Sequence, residues 1–169
     1  MNPAQPRPFV PEIKTYLPGL AWPTRRYLPG EYPRPAPPPP EPGAQAAADW
    51  RHDRAYLRGA DLFNRAYWWE AHEAWEERWR HAEDPCRLYM QGLIQIAAGL
   101  LKWHIGNQRG HRRLWGKGRA KLEALSHTTP HFMGLDLPAF GLRLDAFERL
   151  TPTPDAPVSR SAAVVLLLH

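Results

Sequence analysis

The sequence predicts an all-α fold: a compact bundle of about five helices with an extended Pro-rich N-terminal arm. Three observations carry that expectation. Apolar residues between Asp49 and Leu150 recur at helical spacing. The segments that carry them are separated by short connections, which favour antiparallel neighbours. Prolines crowd residues 1–48, where a long helix or central strand is therefore excluded. A length of 169 residues suits one such domain with a real core. The chain divides into an arm and linker (1–48), a helical bundle domain (49–150) and a C-terminal tail (151–169).

The arm ends in Pro37-Pro38-Pro39-Pro40-Glu41-Pro42, and polyproline II or irregular coil is expected there. Phe9, Val10, Ile13, Tyr16, Leu17, Leu20, Trp22, Tyr27 and Tyr32 run through its first two-thirds. A bland linker has no use for them, so this part is expected to lie across the bundle as a strap, with Pro33–Ala48 as a looser connection. A disordered Pro-rich tail is the competing reading.

Helix one is expected near Trp50–Arg65, capped by Asp49, with His52, Tyr56, Ala60, Phe63 and Tyr67 on one face. Helix two follows near Tyr67–Ala82. Asp84-Pro85 reads as an N-cap followed by proline in the first helical position, opening helix three at roughly Pro85–Ile105. Gly106-Asn107 stops it. Helix four is placed near Gln108–Leu125 and a shorter fifth near Leu137–Leu150. In the tail, Val164–Leu168 is apolar enough to dock on the bundle.

Phe63–Arg80 holds four tryptophans, four glutamates and a histidine. Surface helices seldom carry so much aromatic area, and core helices seldom carry so many carboxylates. At 100° per residue, Trp68, His72, Trp75 and Trp79 form one stripe, and Trp69, Glu73, Glu76 and Arg80 another. Glu70 and Glu77 fall nearly opposite His72. Helix three is apolar almost all round except for a line of Gln91, Gly92, Gln95, Gly99 and Lys102. Each glycine costs roughly 1 kcal/mol against alanine, which makes sense if another helix approaches closely. Each buried glutamine needs a partner, on pain of about 1–3 kcal/mol. A polar seam of His72, Glu73, Glu76, Gln91 and Gln95 between helices two and three is therefore expected.

Phe63-Asn64 with an aromatic pair, Glu70-Ala71-His72-Glu73, Glu76 and Trp79, then Gln91-Gly92-Leu93-Ile94-Gln95 with Ala97, and Gly106-Asn107 with Gly110, together resemble bacterial domain-of-unknown-function family 309. The resemblance covers roughly residues 55–125 and marks Asn64, Glu70 and Trp79 as further motif residues. It implies a compact all-α bundle and supplies no reaction. Ala66 stands where the family pattern has glycine, which argues against a φ > 0 turn there.

Several chemistries compete for these residues. His72 and Glu76, one turn apart, are weak candidate ligands for zinc, iron or manganese. Neither the zincin spacing nor the di-iron Glu-x-x-His spacing is present. A hydrogen-bonded core histidine fits the same pattern. Paired Glu73 and Glu76 suit acid–base work, though glutamates on helices are more often solvated or ion-paired. Cys86 lies in the first turn of helix three, where a helix dipole can lower a thiol pKa, though a lone cysteine there is usually inert. Arg109, Arg112, Arg113 and Lys117 share a face of helix four near Trp115, a candidate phosphate-binding stripe for nucleic acid; a solvated face is the simpler account. An interaction module using that helix or the Pro-rich arm is thus the alternative to a small-molecule or metal site. No motif specifies a cofactor or a catalytic residue.

A net charge of +5 and an isoelectric point near 9.7 permit contact with nucleic acid without arguing for it. Cys86 is the single cysteine, so no intrachain disulfide forms and a Cys-rich metal cage is excluded. No stretch reaches the ~20 apolar residues of a membrane span, and the start has no signal-peptide pattern. A soluble, cytoplasmic protein is the expectation.

Overall fold

A computed structural model describes residues 13–36, 47–150 and 163–169. The helices are a 3-10 turn at Ala47–His52, α1 (Arg54–Asn64), α2 (Trp68–Arg80), α3 (Cys86–His104), α4 (Gln108–Ser126) and α5 (Leu137–Leu150). Between α4 and α5 a hairpin of β1 (His131–Phe132) and β2 (Leu135–Asp136) pairs Phe132 with Leu135. The fold is the expected all-α bundle with this hairpin added. No helix among the described residues is long and apolar enough to cross a membrane.

The first helix is not the single Trp50–Arg65 segment that periodicity suggests. Asp49 has non-helical angles inside the 3-10 turn, and Asp53 caps α1, accepting from the Tyr56 N–H at 2.9 Å. The chain bends there because the Asp53 carboxylate is also bound by Arg78 Nε of α2 at 2.6 Å. At the start of α3, Pro85 itself is the N-cap and no side chain caps the helix, so the cap expected from Asp84 is not made. Ala66 adopts φ +63° despite its side chain. The turn is held because Ala66 N–H and Tyr67 N–H donate to Phe63 and Leu62 carbonyls, both at 3.0 Å, which offsets the roughly 1–2 kcal/mol that a left-handed non-glycine residue costs. Helix five occupies the predicted span.

The core is built on α3. Tyr89, Met90, Leu93, Ile96, Ala97 and Leu100 are fully buried in it. The glycines of α3 face α4: a Cβ on Gly92 would lie 2.8 Å from Leu122, and one on Gly99 3.3 Å from the Trp115 backbone. Two further segments complete the core. In the arm, Leu17 and Leu28 are buried, and Asp61 accepts from the Tyr16 and Leu17 backbone N–H groups at 2.9 and 2.8 Å. At the other end, Ala163–Leu166 and Leu168 are buried, and Leu168 bridges Leu135 of β2. The polyproline run 37–42 and residues 158–162 of the tail lie outside the described residues.

Candidate functional site

Glu73 and Glu76 join His72 on the outer side of α2, while Ala71, Ala74, Trp75 and Arg78 face the core. One ligand atom from each of His72, Glu73 and Glu76 lies within 4.8 Å of the other two. These atoms already have partners. His72 Nδ1 is 3.2 Å from Glu73 Oε1, Glu73 pairs with Arg34 at 3.3 Å, and Glu76 pairs with Arg80 at 3.5 Å. The glutamines stay apart from this group. No hydrogen bond joins Gln91 or Gln95 to His72, Glu73 or Glu76 among the described residues, and Gln95 Oε1 is buried without a protein partner. The reason is the direction of the glycine line, which brings α3 against α4 rather than opening it to α2.

The other motif residues tie down the arm and tail. Asn64 is buried, donates to the Leu166 carbonyl at 2.9 Å and accepts from the Leu166 N–H at 2.7 Å. Glu70 Oε1 accepts from the Tyr27 N–H at 2.7 Å, and desolvation pushes its carboxyl pKa up against the hydrogen bonds and Arg26 that lower it. Trp79 is half-buried under the Arg87 guanidinium, 4.4 Å from the ring centroid. Cys86 follows the inert reading and not the helix-dipole one. Its thiol is buried beside Met133 Sδ at 3.7 Å, and desolvation raises its pKa. Arg109, Arg112, Arg113 and Lys117 are exposed on α4 with no ion pair among the described residues. Trp115 is only 1% exposed and offers no ring beside them.

Sequence reasoning missed a concavity beside the arm. A cavity of about 530 Å³ opens between the arm and helices α1 and α2. Arg25, Arg26 and Arg34 reach it from the arm, and Arg58 and Glu70 from the helices. Tyr27, Tyr32 and Trp69 supply aromatic walls. Tyr27 meets Trp69 edge-on with centroids 4.8 Å apart. The guanidiniums of Arg25 and Arg34 lie over the rings of Tyr32 (4.4 Å) and Trp69 (5.6 Å). Arg26 Nη2 donates to His104 Nε2 at 2.8 Å. Burial first, and the Arg26 charge second, lower the His104 pKa to about 4, so this histidine is a neutral acceptor near pH 7. Desolvation also lowers the Arg26 pKa, opposed by Glu31, Glu70 and Tyr67. The legible signal was the alternation of cations and rings in Arg25-Arg26-Tyr27, Tyr32 and Arg34.

Residues 56–114 match the family described as Domain of unknown function (DUF309), which agrees with the resemblance read from the motifs. No curated protein and no solved structure matches the chain.

Proposed function

We propose that this DUF309-containing chain is a binding protein for a small anionic organic molecule, held in the cavity between arm and bundle. The observation that carries the reading is the convergence of Arg25, Arg26 and Arg34 on a space of about 530 Å³ whose one lining carboxylate among the described residues is Glu70. Gathering like charges around a half-enclosed space costs free energy that a bound anion offsets. Arginine is the suited cation, because its planar fork meets a carboxylate or phosphate with two hydrogen bonds. The volume lies in the range of small-molecule sites, about 300–1,000 Å³.

The expected polar seam is a weaker site. Its carboxylates are engaged by Arg34 and Arg80, and a guanidinium beside Glu73 opposes a second cation there. Nucleic acid on α4 has exposed charge behind it but no stacking ring. Titration of the full chain with pyrophosphate, by calorimetry and thermal denaturation, tests the cavity reading. At a hundredfold excess over Kd, binding adds about 2.7 kcal/mol of stability, and affinity falls as salt is raised. The double variant Arg25→Ala, Arg34→Ala removes two exposed side chains and is expected to weaken binding at least ~10-fold. No heat and no shift in Tm with the unaltered protein at millimolar pyrophosphate would overturn the reading.

A further inference from the structure

We infer that the molecule bound between arm and bundle is a nucleoside diphosphate, its phosphates held by the arginines and its base laid on the aromatic wall. The inference rests on the anion-binding reading and narrows it in three steps.

The first concerns size. A space of about 530 Å³ would hold roughly eighteen waters at ~30 Å³ each, far more than a bare inorganic anion fills, so an organic body must accompany the charge. The second concerns charge. Among the described residues Arg25 has Tyr32 as its partner and Arg26 has the neutral ring of His104, and neither has a carboxylate in ion-pair range. Arg34 lines the same wall and is shared with Glu73. A single carboxylate or phosphate monoester leaves much of this charge unmet; a diphosphate offers oxygens to several forks at once. The third concerns shape. Trp69 and Tyr27 form an edge-to-face corner at 4.8 Å, and Tyr32 faces the same space. The corner offers aromatic surface for a base to lie against, and every base has a face that stacks. Arg25 and Arg34 rest on Tyr32 and Trp69, which holds their N–H edges in place before any ligand arrives.

Calorimetry on the full chain with ADP, AMP, adenosine and pyrophosphate tests the assignment. The expected result is ADP tighter than AMP and tighter than pyrophosphate, each by at least ~10-fold, with adenosine failing to bind. Trp69→Leu should bring ADP close to pyrophosphate. Tyr27→Leu, which has no guanidinium resting on its ring, should narrow the same gap if Trp69→Leu does not fold. Pyrophosphate binding as tightly as ADP would overturn the nucleoside and leave the anion site standing. AMP equal to ADP would overturn the diphosphate. Failure of pyrophosphate to bind at millimolar concentration, whatever the other probes do, would remove the anion-binding reading itself.

Discussion

At the scale of single residues, the polar groups with the most at stake are buried ones the motifs do not mark. Asp53 is fully buried and Arg78 nearly so, and their contact at 2.6 Å joins the start of α1 to the last turn of α2. A buried pair contributes little net stability against an apolar replacement, but removing one partner strands a charge. Arg78→Met is therefore expected to cost about 3–5 kcal/mol in urea denaturation. The double variant Asp53→Asn, Arg78→Met should recover most of that loss, because asparagine keeps the cap of α1 without the charge. Arg78 was legible as a charged residue; that it points inward was not. At 280° on the wheel of α2 it shares the side of Ala71, Ala74 and Trp75, and only the position of Asp53 turns that placement into a bond.

At the scale of elements, periodicity performed best where one face is plainly apolar and least well where a tertiary bond interrupts the helix. Helix five, which opens directly after β2, occupies its expected span. Helix one does not, because Asp53 spends its carboxylate on both Tyr56 and Arg78. Helix packing depends on positions where a methyl group is too much. A Cβ at Gly59 would sit 2.1 Å from Trp75 Nε1, and that indole donates to the Tyr56 carbonyl at 3.1 Å. Gly59→Ala thus has to displace a rigid buried ring or separate α1 from α2. Its expected cost is about 1–3 kcal/mol or more, read from the denaturation midpoint, although alanine is the better helix former. The glycine line of α3 was correctly a sign of close approach. The approaching helix is α4, where a Cβ on Gly118 would meet the Gly92 carbonyl at 2.9 Å; glycine spacing says that something comes near without saying what.

At the scale of the whole molecule, the two ends of the described chain meet on the same helix. Asp61 of α1 holds the arm at Tyr16 and Leu17, and Asn64, one turn later, holds the tail at Leu166. The Tyr16 hydroxyl completes the junction, donating to the Leu166 carbonyl at 3.1 Å and accepting from the Leu168 N–H at 2.9 Å. Asn64→Ala leaves the buried Leu166 N–H without its partner, a loss of about 1–3 kcal/mol. Hydrogen exchange should show faster exchange across residues 164–168 while α3 keeps its protection. Equal protection of both segments in the variant would refute the clamp.

The sequence alone determined the helical class, the order of five helices, the burial of α3 and the family segment, because helical periodicity and turn residues are local properties. Tertiary structure decided where the polar groups of α2 and α3 go. The seam expected of His72, Glu73, Glu76, Gln91 and Gln95 was inferred from two faces each read alone, and the direction of α3 against α4 leaves its halves unbonded. The arginine-lined cavity depends on the same kind of fact. Arg25, Arg26 and Arg34 stand more than twenty residues before Arg58 and Glu70 in the chain. They come together through bonds such as Glu70 to the Tyr27 backbone, Asp61 to that of Tyr16 and Arg26 to His104, long-range contacts that no local pattern encodes.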